Sequence, residues 1–153
     1  MDRVTVAVSL GSNLGDRRAH LGWALTRLGD LLSSVRASRI IETDAVDVPA
    51  PQPPYLNAAV VGETALAPAD LLGRLLEIEQ ERGRERRTPR AARTLDLDLV
   101  LYGDRVIETP GLVVPHPRFR DRAFVLEPLA EIAPDVVDPV SGLTMRQLRD
   151  RLK

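Results

Sequence analysis

Apolar and polar residues alternate with a period of two in several short stretches of the chain and with a helical period in several longer ones. The clearest alternation is Arg93-Thr94-Leu95-Asp96-Leu97-Asp98-Leu99-Val100-Leu101, with a leucine at every second position from Leu95. Successive strand side chains point to opposite faces, so this pattern predicts a strand with its leucines in a core and both carboxylates on the other face. Leucine is a middling strand former, but strict alternation outweighs that preference. Val4, Val6 and Val8, alternating with Thr5 and Ala7, predict a first strand near 3–9. Gly11 to Asp16 reads as a turn. Leu21, Leu25, Leu28 and Leu32 form one stripe of a helix over 17–32. Strands are predicted over 35–43 and 55–64. A second helix comes next, with Pro68 in its first turn, Asp70 near the positive end of its dipole, and Leu71, Leu72, Leu75 and Ile78 on its buried side. After the Asp96/Asp98 strand come a turn at 102–105, a short strand at Val106-Ile107, a helix within 118–132 and a last amphipathic helix over 145–152.

The order strand, helix, strand, strand, helix, strand, then additions, predicts an α+β fold. It is the split βαβ arrangement, a ferredoxin-like βαββαβ sandwich with an antiparallel sheet, helices on one face and added C-terminal helices. A chain of 153 residues suits one domain, 1–153. Between Asp44 and Pro54 the pattern stops, and four prolines within Pro49–Pro54 exclude a helix or a central strand. A loop that long inside a compact domain tends to be functional or mobile. No apolar run approaches the ~20 residues that span a bilayer. The start, Met1-Asp2-Arg3-Val4, lacks the basic-then-apolar layout of a signal peptide. The absence of cysteine removes disulfides, thiolate metal sites and a cysteine nucleophile. A cytoplasmic protein without a membrane partner is expected.

Charge changes the picture locally rather than globally. The net charge is −1, so no overall field advertises a polyanionic partner. Six arginines nevertheless crowd Arg82 to Arg93, just before the two aspartates. Residues two apart on a strand lie roughly 6–7 Å apart, and carboxylates that close repel unless a cation or proton lies between them. Magnesium, which takes one or two carboxylates together with substrate phosphates and water, fits Asp96 and Asp98. A pair of metals there can clamp both oxygens of an in-line displacement, with an arginine-rich loop neutralising phosphate. The plainer alternative is a solvated polar face with surface arginines. Gly11 to Asp16 resembles a phosphate cradle in position, but lacks the Gly-Lys-Ser/Thr ending and reads better as a tight turn. His20 and Trp23 read as surface and packing residues. Taken alone, Tyr55 and Phe124 read as core, Glu79 as an exposed helix residue, and His116, between two prolines, as a turn residue.

Several segments together are specific. Arg93-Thr94-Leu95-Asp96-Leu97-Asp98 resembles the signature of the 6-hydroxymethyl-7,8-dihydropterin pyrophosphokinases of folate biosynthesis. Gly11-Ser12-Asn13-Leu14, Pro54-Tyr55-Leu56-Asn57-Ala58, Gly83-Arg84-Glu85-Arg86 and Val114-Pro115-His116 running on to Arg122-Ala123-Phe124 match the same family in its order and spacing. The resemblance covers essentially the whole chain. It implies the ferredoxin-like fold and transfer of pyrophosphate from ATP, the co-substrate, to the hydroxymethyl group of the pterin, releasing AMP. It further implies that Asp96 and Asp98 hold two Mg2+ ions. Arg84, Arg86 and Arg93 would neutralise phosphates, Arg84 and Arg93 as catalytic residues, with His116 and Arg122 assisting and Glu79 contacting the nucleotide. The pterin would lie between Tyr55 and Phe124, with Asn57, Thr43 and the backbone around Val46 at its edge. The chain departs from the family where Pro89-Arg90-Ala91-Ala92 replaces Arg-Trp-Gly-Pro. Aligned without a gap, Pro89 replaces the arginine and Arg90, an ATP-binding candidate, replaces the tryptophan. With a gap, Arg90 keeps the arginine's role and the tryptophan is absent, and either way its planar guanidinium can stack instead. The loops 44–54 and 84–92 are expected to move and to close on ATP. A monomer acting on small molecules, without nucleic acid, is expected.

Two other classes use the same features. A ferredoxin-like nucleic-acid-binding module would rely on the arginine cluster, but such modules stack bases on sheet-face aromatics, and the central strands here offer leucines and aspartates. A magnesium-dependent nuclease would rely on Asp96 and Asp98.

Overall fold

A computed structural model describes residues 3–43, 54–82 and 94–152. Strand β1 (Val4–Ser12) leads to helix α1 (Arg17–Leu31), then strands β2 (Ser33–Ala37), β3 (Ile41–Thr43) and β4 (Tyr55–Thr64). Helix α2 (Pro68–Glu81) precedes strand β5 (Asp96–Tyr102). The hairpin of β6 (Ile107–Thr109) and β7 (Leu112–Val114), a 3-10 turn at Phe119–Asp121, and helices α3 (Ala123–Ile132) and α4 (Met145–Arg151) complete the order. In the main sheet the spatial order is β2-β4-β1-β5, with β3 beside β2 on the same edge of β4. Every pairing is antiparallel. This is the ferredoxin-like arrangement that the order of elements predicts.

Three features differ from the sequence-based expectation. The strand expected over 35–43 is two strands, separated where the Ser38 hydroxyl accepts from the Ala59 N–H at 2.8 Å and the Ser38 N–H donates to the Ala59 carbonyl at 2.9 Å. The turn expected from Gly11 begins later, because β1 stays paired to β4 as far as Ser12↔Leu56. Asp16 then caps α1, its carboxylate accepting from the Ala19 N–H at 3.1 Å.

Third, the sheet carries helices on both faces. Val6, Val8, Leu10, Leu56, Leu97 and Leu99 join the apolar residues of α1 and α2 in one core. Ala7, Ala59, Val61, Val100 and Leu101 join those of α3 and α4 in a second. Leu101 thus lies opposite the face its alternation predicts. The register explains this: Val8 pairs with Leu99 but Ala7 pairs with Leu101, so Val100 is an extra residue, a β-bulge that reverses the facing of the rest of the strand. Ahead of the bulge the alternation holds.

Candidate functional site

Residues directly opposite in a ladder share a face, so the pairing identifies the residues on the second face of the sheet. Asp98 is opposite Ser9 and Asp96 opposite Gly11. On the far side of β1, Ser9 is opposite Ala59 and Gly11 opposite Asn57. Beyond β4, Asn57 is opposite Ile41 and Tyr55 opposite Thr43. One end of this face therefore gathers Asp96, Asp98, Ser9, Gly11, Asn57, Tyr55 and Thr43, none of them in either apolar core. The face of β1 reads Thr5, Ala7, Ser9, Gly11, small side chains that end in none at Gly11. A Cβ on Gly11 would meet Asn57 Oδ1 at 3.3 Å and Tyr55 Cδ1 at 3.4 Å. The absent side chain is what lets amide and ring lie close over the strand.

The Asn57 amide is buried, and its Nδ2 donates to Thr43 Oγ1 at 2.6 Å. The tie fixes the amide plane and leaves its carbonyl oxygen and remaining N–H as recognition groups. Tyr55, Asp96 and Asp98 are half-buried. The bulge matters here too, because it lets one strand hold two aspartates over this end and Val100 and Leu101 in the apolar core at the other.

Glu79 departs from its exposed-helix reading, being 2 % exposed. Its carboxylate accepts from the Leu97 N–H at 2.6 Å, at the residue between the two aspartates. The signal is present in the spacing. Leu71, Leu75, Ile78 and Glu79 fall at i, i+4, i+7 and i+8, so a glutamate occupies the buried stripe of α2. Replacing Glu79 with Gln keeps an acceptor for Leu97, whereas Glu79→Leu leaves that buried N–H unpaired. Thermal melts should show Glu79→Gln near wild type and Glu79→Leu weaker by about 2 kcal/mol.

His116 comes after a cis Val114–Pro115 peptide and donates its backbone N–H to the Val100 carbonyl at 2.9 Å. Its Nδ1 accepts from the Arg118 N–H at 3.1 Å. Burial, with Arg122 and Arg118 outweighing the opposing pull of Asp96, lowers the imidazole pKa to about 4. The ring is therefore neutral at pH 7, and with Nδ1 accepting, Nε2 carries the proton and can donate to an anionic oxygen. Arg122 occupies the N-cap position of α3, and its guanidinium lies over the Phe124 ring, 5.4 Å from the centroid. Phe124 packs partly against the α3/α4 core.

Arg82, the first arginine of the cluster, is firmly held. Its Nε donates to His20 Nδ1 at 2.9 Å, and its guanidinium lies 5.1 Å from the Trp23 centroid. Arg27 lies 5.3 Å from the same ring and pairs with Glu81. Trp23 packs on the core as expected, and with His20 it also anchors the C-terminal end of α2. Arg84, Arg86, Arg90, Arg93, Val46 and the Pro89–Ala92 departure lie outside the described residues, as do the loops 44–54 (except Pro54) and 84–92.

The family model for 7,8-dihydro-6-hydroxymethylpterin-pyrophosphokinase matches residues 7–134. A Synechocystis protein named 2-amino-4-hydroxy-6-hydroxymethyldihydropteridine pyrophosphokinase is 45% identical over 148 residues, 95% of this chain and 74% of that protein. The Bacillus subtilis protein of the same name is 44% identical over 131 residues, 84% of this chain and 78% of its own length. Among solved structures, wild-type Plasmodium falciparum HPPK-DHPS superposes with a TM-score of 0.75 at 15% identity, covering 98% of this chain. That likeness concerns the fold, and this chain spans only 45% of the larger one. By sequence, the chain belongs to the 7,8-dihydro-6-hydroxymethylpterin-pyrophosphokinase family.

Proposed function

We infer that the chain transfers a pyrophosphoryl group from ATP to the hydroxymethyl group of 6-hydroxymethyl-7,8-dihydropterin, giving the pterin diphosphate and AMP in folate biosynthesis. The observation that carries this reading is the register that sets Asp96 and Asp98 on the same sheet face as Tyr55 and Asn57, with only Ser9 and Gly11 between them. Anion-handling groups and a platform for a flat heterocycle thus share one floor. The pterin hydroxymethyl oxygen attacks the β-phosphorus, the bond from that phosphorus to the oxygen bridging the α-phosphate breaks, and AMP leaves as the alcohol loses its proton.

Asp96 and Asp98 supply hard carboxylate oxygens from one strand face, a donor set that suits two Mg2+ ions completed by phosphate and water. Bound there, magnesium would neutralise charge on the phosphates and acidify the alcohol. Asn57, oriented by Thr43, presents donor and acceptor to the pterin's amide-like edge, while Tyr55 and Phe124 take its faces, a contact worth about 0.5–1.5 kcal/mol beyond burial. Neutral His116 donates through Nε2 to a phosphate oxygen. Arg122 adds positive charge, as do Arg84, Arg86, Arg90 and Arg93, Arg84 and Arg93 acting on the transferred group. Glu79 holds the strand carrying the aspartates and borders the nucleotide.

We propose that the chain acts as a cytoplasmic monomer on small molecules; no described helix is long and apolar enough to cross a membrane. Purified protein with Mg2+, ATP and the pterin should release AMP stoichiometrically with pterin diphosphate. Release of ADP, or no turnover from folded protein, sinks the reading. The nucleic-acid module and the nuclease are not favoured by the family match.

A further inference from the structure

Arg17 opens α1 and its side chain leaves the helix for the β3–β4 ladder. Its Nη1 donates to the Pro54 carbonyl at 2.7 Å and pairs with Glu42 at 3.3 Å. Glu42 lies on β3 immediately before Thr43, and Pro54 lies immediately before Tyr55, the two residues that form the last pair of this ladder. One guanidinium therefore ties both strands where Thr43 and Tyr55 leave them. Glu42 is opposite Leu56, a residue of the α1/α2 core, whereas Thr43 and Tyr55 face the other way. Arg17 thus works from behind the floor whose front carries Asn57, Thr43 and Tyr55.

The ladder needs such a tie. Among the described residues β3 contributes three pairs to this ladder, so little backbone pairing holds it. Across from Asn57, Gly11 offers no side chain to hold the tyrosine ring. The Pro54 carbonyl belongs to the peptide plane that enters Tyr55, so the bond from Arg17 helps to fix that plane. Both contacts come from Nη1, whose two N–H groups reach the carbonyl and the carboxylate together.

We propose that Arg17 is a positioning residue for the pterin: by joining Glu42 to the Pro54 carbonyl it sets the Tyr55 ring and the Thr43–Asn57 pair in the geometry that receives the flat heterocycle. The proposal rests on the pyrophosphokinase reading for the identity of that ligand. Asp96 and Asp98 lie on the far side of β1, so the phosphate half of the site is untouched by this tie.

The test measures pterin affinity by calorimetric titration in the presence of Mg2+ and a non-hydrolysable ATP analogue, alongside kcat and KM for both substrates. Arg17→Ala should weaken pterin binding and raise its KM about tenfold, the loss of one charge-assisted hydrogen bond. ATP KM and kcat at saturating pterin should stay within about twofold by the same argument. Arg17→Lys should recover part of the loss, and Glu42→Gln, which keeps the carbonyl tie, should lose less than Arg17→Ala. Folded Arg17→Ala that binds pterin like wild type overturns the proposal, as does an equal loss of ATP and pterin affinity. Wild type that binds pterin but yields no AMP refutes the transfer reaction alone, and wild type that binds no pterin refutes both.

Discussion

Asp96→Asn and Asp98→Asn should each reduce turnover by at least about a thousandfold, in line with the loss of a group that acts on charge developing in the transition state. Pterin affinity should change far less, because Asn57, Thr43 and Tyr55 stand across β1 from the aspartates. The amide keeps the shape of the carboxylate, and neither aspartate belongs to an apolar core, so the melting temperature should hold. Steady-state assays with pterin titrations separate the two effects. A near-normal rate from either variant removes that aspartate from the proposed metal site.

The second large effect concerns stability and lies away from the chemistry. The Asp138 side chain is fully buried and gathers the Arg120 fork at 2.5 and 3.0 Å, the Val140 N–H at 3.1 Å and the Ser141 hydroxyl at 2.6 Å. Burial pushes the carboxyl up, but Arg120, Ser141 and Val140 together outweigh it and hold the pKa at about 2. A carboxylate depressed in the folded state contributes fully above its unfolded value near 4 and is lost as pH falls through the folded one. Asp138→Asn should therefore cost about 2–4 kcal/mol at pH 7, since Arg120 loses its counter-charge. The gap between variant and wild type should close between roughly pH 4 and pH 2. Denaturant melts across that range test it, and a gap that stays constant contradicts it. Arg120 belongs to the 3-10 turn just ahead of Arg122 and Phe124, so the same substitution should loosen that side of the site.

Range along the chain separates the legible features from the hidden ones. Alternation in β1 and β5 and the leucine stripes of α1 and α2 are local, and they predict the sandwich and the carboxylate pair. The bulge at Val100 is set by how β5 pairs with β1, which no window along β5 contains, so alternation alone puts Leu101 on the wrong face. The two-sided cover of the sheet is hidden likewise, because a helix stripe does not say which face it meets. Glu79 is hidden by expectation rather than by range. Its place in the α2 stripe is readable, but a glutamate there reads as solvent-facing until the Leu97 N–H supplies a partner. Arg17 carries no signal of its own, since its partners at 42 and 54 come together only in the ladder. The pairing of Tyr55 with Phe124 comes from family resemblance, not from periodicity.

Strand β5 closes the main sheet, and a terminal strand normally offers a row of backbone groups to any passing chain. Here two of those groups are already engaged. The Leu97 N–H is taken by Glu79, and the Val100 carbonyl by the His116 N–H. Glu79 and His116, which we propose border the nucleotide and phosphate, therefore also blunt the strand against self-association. Variants that remove the Glu79 acceptor should reveal it as concentration-dependent aggregation, visible by light scattering before any loss of secondary structure. For this chain, keeping the site assembled and keeping molecules apart draw on the same two hydrogen bonds.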